Sequence, residues 1–311
     1  MILGVLLCSL VSVFGAHKAA FVSGGLWNEQ VAAMRKSGFD TVICWSLHVN
    51  WSGQLTLNND ALIYSNGSYN SAFWGLWAKN NMALLKTQPT SITRIEFSVG
   101  SAGAADFEGI ENLVNTQGTG PTSVLYKNFA KLREIFPQID AINFDDESNY
   151  DVATTTQFAV MLADLGYKIT FCPYTRRSTF WGPLYDAIEA QRPGAVDHVY
   201  LQCYAGGTLN NPATWNAYFG NLKVEPGLWA GDASTSGRDY PGEVQQEMND
   251  WRAGADIPGG FIWRLAYMYE GGLSPSDYAS AIDGNYTVGF DDNDYYRIMN
   301  KHSGKAMTVL D

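Results

Sequence analysis

Basic side chains are the first scarcity in this chain. Only 20 of its 311 residues are Lys or Arg, against 31 Asp or Glu, for a net charge of −11 and an isoelectric point near 4.8. Binding a phosphate backbone needs clustered cations, and no basic stripe occurs, so nucleic acid is not an expected partner. The acidity reads as a source of solubility, not as a site for a specific cationic partner. Cysteine is scarcer still, at four residues. Cys44, Cys172 and Cys203 sit in apolar, strand-like runs at distant spacings. That pattern fits buried thiols and gives neither a disulfide framework nor a zinc motif. No metal and no cofactor is assigned. A dinucleotide-binding loop is missing as well, because Gly24-Gly25 lacks the third glycine such a loop needs.

Long apolar runs are also lacking. The one at the start, residues 2–14, ILGVLLCSLVSVF, is too short to span a bilayer. Small residues follow at Gly15 and Ala16, as at a signal-peptidase site. Residues 1–16 are therefore expected to be a signal peptide, although their start carries no Lys or Arg. No later stretch is long enough for a transmembrane helix, so membrane association is not expected and a secreted, extracellular location is. Three glycosylation sequons agree with secretion: Asn50-Trp-Ser52, Asn66-Gly-Ser68 and Asn285-Tyr-Thr287.

What the chain has is apolar bulk in short pieces. It is 46% apolar and 14% aromatic, enough for a large core. Runs at 19–22, 41–46, 92–99, 139–144, 168–172, 198–204, 224–230 and 260–265 read as strands. They are mostly apolar without strict alternation, as strands covered by helices are. Helical stretches at 28–37, 72–85, 124–135, 152–165, 183–190, 242–253 and 275–282 lie between them. Gly38, Gly166 and Gly254 follow three of these as stop signals. Eight strands interleaved with helices over about 250 residues predict an α/β fold, a (β/α)8 TIM barrel. A doubly wound open sheet is the alternative, but it would more often show fewer strands and a Gly-rich loop.

The expected organisation is a signal peptide (1–16), a catalytic barrel (17–284) and a tail (285–311). Within the tail, 285–294 is a polar linker and YYRIMNKHSGKAMTVLD runs to the end. This stretch resembles the opening strands of a ricin-type β-trefoil, a sugar-binding module, but is too short for a complete one. A monomer is expected.

One short stretch, AINFDDESNYD at 141–151, concentrates carboxylates at the end of an apolar run. Side chains alternate along a strand. Ile142 and Phe144 suit the helix-facing side, which sends Asn143, Asp145 and Glu147 into the barrel mouth. The ends of barrel strands on that face are where catalytic groups lie. Asp145 beside Glu147 raises the tendency of Glu147 to hold a proton, which general acid catalysis requires. Acids collecting at a helix N-terminus would account for Asp146, Glu147 and Asp151, but not for Asp145 within the strand.

Here the sequence resembles a known family. Asp140-Ala-Ile-Asn143-Phe-Asp145-Asp146-Glu147 is similar to the DxxDxDxE signature of family 18 glycoside hydrolases, the chitinases and endo-β-N-acetylglucosaminidases, with Asn143 at a position usually acidic. Ser98-Val-Gly100-Ser101 resembles the family's SxGG segment, and Gln202-Cys203-Tyr204 its Gln-x-Tyr segment. Gly259-Gly260-Phe-Ile-Trp263 is similar to the eighth-strand segment bearing the tryptophan at the base of the sugar subsite.

The resemblance implies a substrate containing N-acetylglucosamine and substrate-assisted retaining catalysis, in which the sugar's 2-acetamido oxygen replaces a protein nucleophile. It implies Glu147 as acid and base, Asp145 and Tyr204 as partners of the acetamido group, and Trp263, Gln202 and Asn143 as substrate-binding residues. Gln202 reads equally well as a buried hydrogen-bonding group. Asn143 removes a partner that could share a proton with Asp145. Trp45, Trp51, Trp74, Trp77 and Trp229 are further candidates for stacking on sugar, although packing explains most such rings. Two other readings stand beside the hydrolase of chitin or of N-glycan cores. One is a non-catalytic chitinase-like lectin, from which the acid is typically lost. The other is an unrelated barrel glycosidase with Asp145 or Asp146 as nucleophile, which their parallel placement on one strand disfavours.

Overall fold

The computed structural model describes residues 15–23, 27–72, 75–231 and 237–287, and the side chains of 75–78 are not described. Most of the expected signal peptide, the Gly24-Gly25 pair, the side chains of Trp74 and Trp77, and the tail beyond residue 287 lie outside the described residues.

The strands in chain order are β1 (His17–Ser23), β2 (Thr41–Val49), β3 (Leu55–Leu57), β4 (Asp60–Ile63), β5 (Arg94–Gly100), β6 (Ala141–Asp145), β7 (Lys168–Phe171), β8 (Val196–Gln202), β9 (Glu225–Trp229) and β10 (Gly259–Trp263). Eight of them run parallel in the order β1-β10-β9-β8-β7-β6-β5-β2, and pairing of β1 with β2 closes the ring. β3 and β4 form an antiparallel hairpin on the extended end of β2. The helices are α1 (Asn28–Lys36), α2 (Gly75–Leu85), α3 (Asp106–Gln117), α4 (Val124–Ile135), α5 (Val152–Asp164), α6 (Gly182–Glu189), α7 (Pro212–Trp215), α8 (Pro241–Ala255) and α9 (Pro275–Ile282). The molecule is the (β/α)8 barrel the sequence predicts. No helix among the described residues is long and apolar enough to cross a membrane.

All eight expected strands form, with ends displaced by a few residues. The hairpin β3–β4 and the helix α3 were not expected. Local chemistry explains several boundaries. Asp151 caps α5 by accepting the N–H of Thr154 at 2.8 Å, and Ser123 caps α4 through Tyr126 at 3.2 Å. Pro275 opens α9 behind Ser274, whose side chain pairs with Asp277.

Two apolar layers sit on either side of the barrel wall. Ile142 and Phe144 belong to the outer layer, between strands and helices. Ala19, Phe21, Ile43, Tyr200 and Phe261 fill the inside. A polar chain also runs through the interior. Arg94 donates to Glu96 at 2.6 Å, Glu96 accepts from Thr170 at 2.6 Å, and Thr170 accepts from the Asn143 amide at 2.9 Å. Ser98 completes the chain by donating to the Asn143 carbonyl at 2.9 Å. Each buried polar group in it thus has a partner. Cys44, Cys172 and Cys203 are buried free thiols, as expected.

Candidate active site

The site is built from the end of β6 upward. Phe144 is wedged against Phe107 and Phe158, with ring centroids 5.5 Å away in each case. That anchor turns its neighbour Asp145 toward the barrel axis. Gly100 pairs with Asp145 in register, and a Cβ on Gly100 would lie 2.3 Å from the Asp145 carbonyl oxygen. Only glycine allows this approach, and its φ of +96° suits glycine as well. Beyond the strand, Asp146 turns outward and accepts the N–H groups of Ser148, Asn149 and Tyr150 at 2.9–3.1 Å. This capped turn fixes Glu147 above Asp145.

Asp145 and Glu147 open into a cavity of about 340 Å3 whose wall includes Gln202, Tyr204, Trp45 and Trp263. The cavity is strongly aromatic. Trp45 meets Trp263 edge-on at 4.8 Å, and Phe21 packs on Trp263 at 5.4 Å. Trp229 also lines it, and its indole N–H finds no partner among the described residues. Flat apolar rings with a few convergent polar groups are what a sugar-sized ligand requires. Gln202 ties the polar side together. Its amide donates to Asp145 Oδ1 at 3.1 Å and to the Cys172 carbonyl at 3.0 Å.

Electrostatics separate this pair from ordinary surface carboxylates. Burial pushes Asp145 well above the usual carboxylate range, and the Glu147 charge pushes it further. Glu147 is raised too, first by burial and then by Asp146, while hydrogen bonding from Gln202 opposes the rise. The Asp146 charge therefore adds to that of Asp145, whose repulsion with Glu147 is mutual. Both carboxyls hold a proton more tightly than free ones.

Five of the six predicted site residues meet at this cavity: Asp145, Glu147, Gln202, Tyr204 and Trp263. Asn143 does not. It is fully buried beneath the floor, with its amide and carbonyl taken by Thr170 and Ser98. Alternation assigned its side of the strand correctly but not its depth, so it has no direct contact to offer a sugar. Trp45 and Trp229 are in the cavity wall, whereas Trp51, 59% exposed, borders an adjoining groove of about 480 Å3. Ser101 and Ala102 line both spaces. Phe21 and Tyr174 line the cavity and were missed. Each lies at or just past the C-terminal end of a strand, a position that could have flagged them.

No protein-family model matches the sequence, and no curated protein is similar to it. Solved structures are similar in shape. A family 18 chitinase of Flavobacterium johnsoniae superposes with a TM-score of 0.59 at 11% identity, covering 88% of this chain and 94% of that one. The catalytic domain of a family 18 chitinase from the fern Peteris ryukyuensis gives a TM-score of 0.54 at 14% identity, with 86% and 99% covered. A chitinase variant from Cycas revoluta, in complex with (GlcNAc)4, gives 0.54 at 11% identity, with 86% and 98% covered. At such identities the likeness concerns the fold. The chain has the (β/α)8 barrel fold of the family 18 chitinases.

Proposed function

We propose that this chain is a secreted glycoside hydrolase that cleaves β-1,4 bonds next to N-acetylglucosamine in chitin or chito-oligosaccharides by substrate-assisted retaining catalysis. The observation that carries the reading is that Asp145 and Glu147 share one cavity wall, with no third carboxylate among the described residues that line it. A protein nucleophile and its acid must flank the scissile bond, an arrangement that two groups from one strand end disfavour. The similarity in shape to several chitinases supports chitin as the substrate. The exposed sequon asparagines Asn50, Asn66 and Asn285 support secretion.

In this mechanism Glu147 gives its proton to the leaving glycosidic oxygen as the bond from that oxygen to C1 breaks. The carbonyl oxygen of the sugar's own acetamido group forms the new bond to C1. Asp145 accepts the acetamido N–H and balances the positive charge of the oxazolinium so formed. Tyr204 donates its O–H to the acetamido oxygen, and Trp263 lies beneath the ring. Water then attacks C1 and gives its proton to Glu147, and the acetamido group is released with retention of configuration. Asp145 must be ionised to accept the N–H. Asn143 cannot take up its proton, so Glu147 is the proton's other seat.

Incubation with chitin oligosaccharides and with a high-mannose glycoprotein, products read by mass spectrometry, tests the assignment. Shorter acetylated oligosaccharides are expected. Release of N-glycans with chitin left intact would make the chain an endo-β-N-acetylglucosaminidase instead. Binding without cleavage of either would make it a lectin.

A further inference from the structure

The opposite end of the barrel carries a second cavity, of about 660 Å3, whose wall includes His17, Asp40, Thr41 and His198. At its edge three side chains converge that the sugar chemistry does not use. We propose that His17 Nδ1, His198 Nδ1 and the Glu225 carboxylate form a binding site for a transition-metal dication of the zinc class. This inference is independent of the hydrolase reading.

One donor atom from each residue lies within 4.8 Å of the other two. Glu225 is 2% exposed, and its two oxygens face the two rings. Oε1 is 2.5 Å from His198 Nδ1, and Oε2 contacts His17 Nδ1. A buried carboxylate needs compensating positive charge. No Lys or Arg pairs with this one among the described residues; its ion-pair partners are the two histidines.

The far side of His17 is already arranged for a ligand. Its Nε2 lies 3.0 Å from Asp40 Oδ1 and 2.8 Å from Thr41 Oγ1. Nε2 therefore carries a proton, which leaves Nδ1 as the donor atom. An imidazole that gives its second N–H to a carboxylate is how metal-binding histidines are held in orientation. The two rings stack with centroids 4.3 Å apart and planes at 22°. Without a metal, each Nδ1 needs a proton to face the carboxylate, and His17, protonated at both nitrogens, becomes a cation stacked on its neighbour. A single dication between the two nitrogens and the carboxylate replaces both protons and leaves both rings neutral.

Donor chemistry selects the metal class. Two imidazole nitrogens and one carboxylate oxygen suit zinc, cobalt or copper, whereas calcium and magnesium favour all-oxygen sites. Three protein ligands leave a fourth position, and the adjoining cavity admits water to it. The ligands come from β1, β8 and β9, with β10 between β1 and β9. That strand opens with Gly259-Gly260, so no side chain of it separates His17 from Glu225. A bound metal would clamp β1 to β8 and β9 at the face remote from Asp145 and Glu147.

The untagged full chain, stripped with a chelator and dialysed, is titrated with Co2+ while visible absorption and Tm are followed. The expected result is about one equivalent bound, with the ligand-field bands of a four-coordinate nitrogen–oxygen site and displacement by Zn2+. Tm should rise by several degrees once free metal exceeds Kd about a hundred-fold. His198→Ala and Glu225→Gln should lose both signals, and His198→Ala should keep turnover on chitin oligosaccharides within about a factor of two. Should Glu225→Gln not fold, His198→Ala decides. No Co2+ binding by the wild type at millimolar metal, or bands unchanged in His198→Ala, overturns the proposal and leaves the cluster an imidazolium–carboxylate pair.

Discussion

The two ends of this barrel treat their carboxylates in opposite ways. At the C-terminal end, buried Asp145 and half-buried Glu147 have no cation beside them among the described residues, and both are raised above the usual carboxylate range. At the N-terminal end nearly every acid is matched. Glu96 takes Arg94 at 2.6 Å and Asp140 takes Lys86 at 2.8 Å; Asp197 takes Arg94 at 2.8 Å, although burial still raises it. Burial works to raise Glu225 too, but His17 and His198 beside it hold it down at about 2. One scaffold thus keeps carboxylates that have a cation beside them apart from a carboxylate pair that has none. Depth does not make the distinction, since Glu225 and Asp145 are both buried. The partner does.

The comparison can be broken most sharply at Glu147. Glu147→Gln keeps the shape and removes the transferable proton, so turnover should fall about 10²–10⁴-fold while Tm and glycan binding barely change. Steady-state kinetics beside a binding isotherm checks this, and turnover near the wild-type rate would remove Glu147 from the chemistry. At the other end, Arg94→Met leaves Glu96 buried and unpaired. It should cost about 3 kcal/mol of stability in a denaturant titration, with kcat unchanged in the protein that folds.

Asp145→Asn should affect both properties, in opposite directions. Its charge matters most as the oxazolinium forms, so kcat should fall by about 10²-fold with KM little altered. Stability should move the other way. The folded-state pKa of Asp145 lies above its unfolded value, so folding takes up a proton between the two, and stability falls as pH rises through that window. The variant escapes that loss, and its Tm should gain on the wild type as pH rises above the usual carboxylate range. A Tm difference independent of pH would contradict the assignment. The smallest effect is expected at Asp146. Its charge helps to raise Glu147, so Asp146→Asn should move the alkaline limb of the kcat/KM profile to lower pH, and a shift to higher pH would show that Asp146 does not act through charge.

Much of the barrel was legible because its strands are buried on both faces, which leaves mostly apolar runs such as those of β2 and β10. Helix α3 was harder to see. Gly109 and three acids interrupt it, although Phe107, Ile110, Leu113 and Val114, all buried, keep a helical spacing. The hairpin β3–β4 is too short for periodicity to register, and its turn hides in Asn58, which adopts a φ of 54°. At the site, alternation along β6 predicted which side chains turn inward. It could not say that Asn143 stops beneath the floor, because depth depends on the neighbours Ser98 and Thr170 from other strands. The cluster of His17, His198 and Glu225 was invisible for the same reason. Its members come from three strands, and no spacing rule joins residues 17, 198 and 225.

In the proposed chemistry the substrate supplies the nucleophile and Asp145 positions it. The most direct measurement compares cleavage of fully acetylated and fully deacetylated chitin oligosaccharides of equal length, with a thiazoline mimic of the cyclic intermediate as inhibitor. The deacetylated oligomers should bind but resist cleavage, and the thiazoline should bind far more tightly than substrate, as a transition-state analogue does. Equal cleavage of the two oligomers, with no inhibition by the thiazoline, would contradict this chemistry.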